Sequence, residues 1–147
     1  MIAEVIWRAL DSSDPKAVAI RAKVATYTQG SGNKKCIFSA TVPEKVDTPY
    51  IAITQIGGPP DFGCRENRGG DVFVDVAVFE EKSFTSKRSR EIARMVWDFL
   101  NRNPLASYLE AVGLESWGVT AEFPVPLVDT HGFPGYVVKV RARILET

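Results

Sequence analysis

The chain has 147 residues, and its 18 basic residues balance its 18 acidic residues. A chain of this length suits a single domain, residues 1–147, that buries roughly two thirds of its unfolded surface. The balanced charge argues against a strongly basic nucleic-acid-binding surface, and no apolar run approaches the roughly 18 residues that cross a bilayer. We therefore expect a protein without a membrane span or a secretion signal.

The first predicted elements are two short helices. Apolar residues recur at helical spacing over residues 2–10, and the polar residues 11–13 end this helix. Asp14 followed by Pro15 is typical of a capping residue and the first helical position, which predicts a second helix that extends to Val24. Residues 29–33 are glycine-rich and polar, so we expect an exposed loop there.

Two strands and a long loop are predicted next. Residues 36–40 and 50–56 have strand-like patterns, and Pro49 stands at the entrance of the second strand, where its missing amide donor does least harm. Glycine or proline occupies seven of the fourteen positions from 57 to 70. A loop of this length is uncommon inside a compact domain and usually has a function or orders on assembly.

The clearest pattern is a strand followed by a helix. Four valines alternate with other residues from Asp71 to Phe79, so one face of the strand is uniformly apolar. After a polar connection in which Ser83, Thr85 or Ser86 is the candidate cap, apolar residues at steps of three and four predict a helix of roughly 16 residues. We expect the apolar stripe of this helix to pack on the valine face. Its outer face carries Lys87, Arg88, Arg90, Glu91, Arg94 and Asp98.

The C-terminal third continues with a helix and two strands. A helical pattern over 104–112 ends at Gly113, and strand patterns follow at 117–123 and 136–145. Prolines and glycines between these strands predict a second loop. The whole pattern predicts an α+β fold, in which a mixed or mainly antiparallel sheet of about four to five strands has its helices packed mostly on one face.

The last strand places three cations on one face. Its apolar residues alternate from Tyr136 to Ile144, so Lys139, Arg141 and Arg143 project together from the opposite face. Two interpretations follow. The row is either a solvated surface with cross-strand partners such as Asp71 or Asp75, which we favour, or a contact surface in an assembly, where charge pairing between subunits would set their orientation.

Sequence motifs of catalysis are scarce. His131 is the single histidine and lies in a loop without the partners that a metal site needs, and neither a nucleophile elbow nor a phosphate-binding glycine motif is present. Cys36 and Cys64 stand in different contexts without metal-ligand spacing, which favours a reduced compartment. The three tryptophans are dispersed over separate elements and fit core or interface positions better than a stacking platform. We predict no catalytic residue, metal or cofactor.

The order of the predicted elements resembles a known family. Two short helices precede the strand Pro49-Tyr50-Ile51-Ala52-Ile53 and a glycine-rich loop, and a strand ending in Val76-Ala77-Val78-Phe79 leads to a helix containing Glu91-Ile92-Ala93-x-x-Val96. A final strand begins near Tyr136. This arrangement is similar to that of the tail terminator or tail completion proteins of long-tailed bacteriophages and related phage-like particles.

The resemblance implies a structural virion protein and not an enzyme. Members of that family form a hexameric ring that caps the tail tube, ends tail polymerisation and provides the surface on which the head docks. The implied partners are further copies of the chain, the tail tube protein and the connector or neck proteins, while DNA passes through the lumen without specific binding. We would then expect the protein at the head-proximal end of the tail, after assembly in the host cytoplasm.

Seven residues are the candidate contacts with a neighbouring subunit or with the lumen of such a ring. They are Lys139, Arg141 and Arg143 in the last strand and Asp61, Phe62, Arg65 and Arg68 in the glycine-rich loop. Two alternatives remain open at this point. One is a head–tail connector or neck protein of the same kind of particle, and the other is a small cytosolic α+β enzyme or ligand-binding domain, which would need a concave pocket.

Overall fold

A computed structural model describes residues 2–29, 32–39, 42, 47–57, 69–80, 87–102, 104–128 and 134–146. Within these ranges the chain forms four helices and eight strands. In chain order they are α1 (Ile2–Leu10), α2 (Pro15–Lys23), β1 (Thr26–Gln29), β2 (Gly32–Lys35), β3 (Ile37–Phe38), β4 (Tyr50–Gly57), β5 (Gly69–Phe79), α3 (Lys87–Asn101), α4 (Ala106–Ala111), β6 (Leu114–Ala121), β7 (Val125–Val128) and β8 (Pro134–Glu146).

Six of these strands form one mixed sheet. Its order is β3-β4-β5-β8-β6, and β7 pairs with β8 beyond the end of β6. Strands β3 and β4 run parallel, whereas the other pairs in this sheet are antiparallel. The predicted α+β fold with a mixed sheet is confirmed, and the described sheet has one strand more than the upper limit of our expectation because residues 125–128 pair as β7.

The expected loop over residues 29–33 is wrong at both of its ends. Gln29 ends β1 and Gly32 begins β2, and the two strands pair antiparallel as a separate hairpin. The hairpin follows α2, and after it the chain joins the main sheet. The amide of Cys36 donates to the carbonyl of Ala25, and the amide of Ile51 donates to the carbonyl of Cys36. Residues 30 and 31 lie outside the described ranges.

The core lies between the sheet and the helices. Val72, Val74, Val76 and Val78 of β5 are fully buried, as the alternating pattern predicted. Helix α3 contacts β5, β6 and β8, while α1 packs on β4 and β5. The inward residues of α3 are buried, as expected, and they are Ile92, Ala93, Val96, Phe99 and Leu100. Because burial of each large apolar side chain contributes about 1.5–3 kcal/mol, this layer is the main source of stability.

Side-chain hydrogen bonds hold the N-terminal helices in place. The carboxylate of Asp14 accepts from the amide of Lys16 at 2.9 Å, which confirms the predicted cap of α2. Arg21 donates to the carbonyls of Leu10 and Ser12 at 2.6 Å each, so acceptors at the end of α1 that the helix itself leaves unpaired are satisfied. The indole nitrogen of Trp7 donates to the carbonyl of Ile37 at 2.9 Å and ties α1 to the sheet.

Strands β6 and β7 together form one bent edge of the sheet. The β6–β8 register shifts between Ser116 and Gly118, where Gly118 has a φ of 145°, so a bulge bends the strand. At the end of β6, both backbone groups of Ala121 bond to the side chain of Asn101, at 3.1 and 3.3 Å, and the indole of Trp97 donates to the same carbonyl at 3.0 Å. Side chains of α3 therefore form hydrogen bonds with backbone groups of the edge strand that could otherwise pair with another strand.

Candidate functional site

The row of cations in the last strand lies where the sequence placed it. Lys139, Arg141 and Arg143 of β8 are exposed on the sheet face opposite the helices, while Val138 and Val140 are buried beneath the helices. We call this side of the sheet the open face. It includes the exposed residues Phe73, Lys139, Arg141, Arg143, Val125 and Leu127 and the half-buried Asp71 and Asp75.

Both arginines of the row bind one carboxylate on the neighbouring strand. Arg143 lies directly opposite Asp71 in the β5–β8 register, and its Nε donates to Oδ1 of Asp71 at 3.0 Å. Arg141 donates from Nη2 to Oδ2 of the same carboxylate. Hydrogen bonds from Arg141 and then Arg143 lower the pKa of Asp71, and the carboxylate in turn raises the pKa of Arg143. The predicted cross-strand partner is therefore present within the subunit.

The second carboxylate of β5 has a different environment. Asp75 lies opposite Lys139 in register, but its Oδ1 is buried and accepts no hydrogen bond from any residue that the structure describes. Burial raises the pKa of Asp75, and the positive charge of Lys139 only partly opposes this effect. Two carboxylates on one face of one strand thus have pKa values shifted in opposite directions.

A cluster of aromatic rings occupies the other end of the same face. Tyr50 contacts Phe38 with ring centroids 6.4 Å apart and contacts Phe79 at 5.3 Å, and all three rings are buried. Phe79 lies directly over Gly135, its partner in register. The rings therefore connect β3, β4 and β5 on this face, and Phe79 also packs over β8.

Exposed apolar side chains stand beside the charges. Phe73 is 42% exposed, and Val125 and Leu127 of β7 are 44% and 38% exposed. In register, Val125 lies opposite Val137 and Leu127 opposite Gly135, so both belong to the open face. An exposed surface that combines large apolar groups with paired charges is typical of a protein contact. The sequence pattern missed Val125 and Leu127 because it did not predict β7, although the position of Phe73 was visible in the alternation.

The remaining features of the described residues concern metal ligands, a groove and a thiol. The described part of the chain contains no group of three or more histidine, cysteine or acidic residues that is arranged to hold a metal ion. A shallow groove of about 390 Å³ runs along the outer face of α3, and its described lining is mostly charged. Cys36 is buried, and this burial raises the pKa of its thiol. None of the described helices is long and apolar enough to cross a membrane.

Several predicted residues lie outside the described ranges. They are the loop candidates Asp61, Phe62, Arg65 and Arg68, the capping candidates Ser83, Thr85 and Ser86, and also Cys64 and His131. Of the seven candidate contact residues, the structure therefore places the three cations of β8.

The chain was compared with known proteins. No protein-family model matches the sequence, and no curated protein matches it.

We expect Asp71→Asn and Asp75→Asn to change the pH dependence of stability in opposite directions. The lowered pKa of Asp71 stabilises the fold above the ordinary carboxyl pKa, and this contribution is lost as the pH falls through the lowered value. The raised pKa of Asp75 means that its charge costs stability at neutral pH, a cost that disappears as the pH falls through the raised value.

Urea unfolding between pH 7 and pH 3 tests this expectation. At pH 7, Asp71→Asn should be less stable than the unmodified protein and Asp75→Asn more stable, and both differences should shrink as the pH falls. Each variant is the control for the other, because both replace an aspartate in β5 by its neutral analogue on the same face. Parallel stability curves for the two variants would contradict the assigned environments.

Proposed function

We propose that the protein is a structural subunit of a ring at the head-proximal end of a phage tail, where it caps the tail tube and provides the surface for head attachment. The observation that carries the proposal is the open face, where Phe73, Val125 and Leu127 stay exposed beside a row of cations. Such a surface suits a contact with another protein better than the chemistry of an enzyme.

The order of elements indicates which kind of assembly to test. Helices α1 and α2 precede the sheet, strand β5 is followed by α3, and β8 returns to the middle of the sheet. This is the order on which the resemblance to tail terminator proteins rests. The resemblance supplies the hexameric state, the tail tube and connector partners, and the location in the virion as parts of the proposal.

The charge distribution is compatible with a ring around DNA. A cyclic assembly uses two different patches on each subunit, so a head-to-tail contact closes without a self-complementary face. Tight binding of a duplex requires a concentrated excess of cations. Here Asp71 neutralises part of the charge of Arg141 and Arg143, and the whole chain carries no net charge. DNA is therefore expected to pass through the lumen without specific binding.

Electron microscopy of the purified protein, alone and with tail tubes, tests this function. We expect rings of the tube's diameter, and we expect such rings at tube ends when both components are present. Particles of subunit size at all concentrations, together with uncapped tubes, would overturn the proposal. Mass measurement in solution gives the number of subunits independently of the images.

A pair of variants tests whether the cation row takes part in the ring. Arg141→Glu with Arg143→Glu places like charges around Asp71, so it alters both the subunit and its surface. Adding Asp71→Lys restores opposite charges within the subunit while the row keeps its reversed sign. If the row contacts a neighbour or the tube, this triple variant should fold but assemble or cap poorly, and more so at low salt. Normal capping at every salt concentration would show that the row is a solvated surface and not a contact.

A further inference from the structure

A patch of arginine and aromatic side chains lies at one end of the sheet's edge. Arg90, Arg94 and Trp97 follow at steps of four and three along α3, so they share one flank of the helix. Phe123 follows β6, packs edge-on against Trp97 with centroids 5.3 Å apart, and is 55% exposed. The guanidinium of Arg94 lies 5.5 Å from the centre of the Phe123 ring. We call these four residues the basic patch.

The basic patch has unused binding capacity. The acidic residues of α3 are already occupied within the subunit, since Glu91 binds Lys23 at 3.0 Å and Asp98 binds Lys16 at 2.7 Å. Neither Arg90 nor Arg94 forms an ion pair with any residue in the described ranges, and Arg94 lies over the Phe123 ring. Exposed aromatic and arginine side chains held in place beforehand are the usual anchors of a protein interface.

Two exposed glutamates lie at the other end of the same edge. Glu110 in α4 and Glu115 in β6 are exposed on either side of the turn at Gly113, and Val112 between them is 36% exposed. Neither glutamate forms an ion pair with another described residue. We call Glu110, Val112 and Glu115 the acidic corner.

The two surfaces cannot meet within one subunit. Glu115 and Phe123 are separated by the length of β6, and at about 3.3 Å per residue this distance is roughly 20–25 Å once the bulge is allowed for. Each surface combines two charges of one sign with an apolar side chain, and the signs are opposite. Complementary patches at opposite ends of one element are what a head-to-tail contact between copies requires.

We infer that the basic patch of one subunit binds the acidic corner of the next copy of this chain, an inference that rests on the ring proposed above. Arg90 and Arg94 pair with Glu110 and Glu115 of the neighbour, while Val112 packs against Phe123. A stable interface buries about 800 Å² on each partner, so these residues are the anchors of a larger contact. Phosphate groups of DNA would engage the two arginines but would leave the acidic corner without a role.

Two charge-reversed variants test the contact. The basic-patch variant is Arg90→Glu with Arg94→Glu, and the corner variant is Glu110→Arg with Glu115→Arg. When either variant is alone, the patch of one copy and the corner of the next carry charges of the same sign, so association should weaken on the order of 100-fold. In an equimolar mixture every contact between unlike subunits is again complementary, so rings should reappear in which the two variants alternate.

Controls separate this contact from general charge effects. Thermal unfolding shows whether each variant still folds. A third variant, Glu4→Arg with Asp11→Arg, has the same net charge as the corner variant but changes exposed residues of α1 and the turn after it. It should form rings alone, and its addition should not bring the basic-patch variant into alternating rings.

The possible outcomes distinguish the contact from the function on which it rests. Rings of each reversed variant alone, or a folded mixture that stays dissociated, would overturn the contact and leave the ring itself intact. If the basic-patch variant loses DNA binding but still assembles, the two arginines bind phosphate groups and the proposed contact is wrong. If the unmodified protein remains monomeric and leaves tail tubes uncapped, both proposals are wrong. Rings that do not bind tail tubes would contradict only the tail function.

Discussion

Val74→Asp is expected to unfold the protein, whereas Phe73→Asp, one residue earlier on the same strand, should leave it folded. Val74 is fully buried and lies between Gln55 of β4 and Val140 of β8 beneath the helices. A carboxylate there has no partner, and its burial costs several kcal/mol, a large part of the roughly 5–15 kcal/mol that stabilises a domain. Phe73 points to the open face and is 42% exposed.

The control substitution uses the charges of the open face. An aspartate at position 73 lies opposite Arg141 in register, so its charge has a neighbour of opposite sign, and we expect a loss of about 1 kcal/mol from the missing ring. Arg88→Ala on the exposed side of α3 should change stability by less than about 0.5 kcal/mol. Chemical denaturation of the three variants gives the comparison. Similar losses for Val74→Asp and Phe73→Asp would show that the two faces of β5 are assigned incorrectly.

The elements that the sequence predicted are those whose pattern arises from burial on one side. In β5 every second residue meets the helices, and in α3 the apolar residues return every three or four positions, so the period alone identifies the element and its inward face. The start of α2 was predictable for a local reason as well. The Asp14 carboxylate accepts from the amide of Lys16, and Pro15 between them has a backbone angle that suits the first helical position, so the signal lies within three consecutive residues.

The elements that were missed have no such period. The β1–β2 hairpin has the sequences TYTQ and GNKK, which contain no alternation of apolar and polar residues that would predict a strand. Strand β7 contains Pro126, which normally argues against a strand, but an edge strand tolerates a residue without an amide donor. Here the pairing with β8, and not local preference, decides the structure.

The candidate site was predictable as a set of charges but not as a set of contacts. Alternation in β8 was sufficient to place Lys139, Arg141 and Arg143 on one face. Asp71 binds both arginines, while Oδ1 of Asp75 accepts no hydrogen bond from any described residue, and both facts depend on the register of two strands about 70 residues apart. The contact of Phe123 with Trp97 and Arg94 likewise depends on where β6 ends against α3. Such long-range placement has no signature in the local sequence.

Gly135→Ala is expected to destabilise the protein by about 3 kcal/mol, because the added methyl group has no space. A Cβ at this position would overlap the carbonyl oxygen of Val78 and lie 2.6 Å from Cδ1 of Phe79. The backbone here is not in the left-handed region that requires glycine, so the constraint is purely the approach of the Phe79 ring and the β5 backbone. For a domain of about 150 residues, the loss corresponds to a decrease in Tm of roughly 6–12 °C.

A double-mutant cycle separates the ring from the backbone as the source of this cost. In a Phe79→Leu background the contact with Cδ1 of the ring is changed, but the carbonyl of Val78 remains, so Gly135→Ala should cost less than in the unmodified protein without becoming neutral. The cycle is measured by thermal unfolding of the four proteins. Full additivity would show that the backbone of β5 alone excludes the methyl group. An unchanged Tm for Gly135→Ala would contradict the pairing of Phe79 with Gly135, and with it the register that places Asp71 beside Arg141 and Arg143.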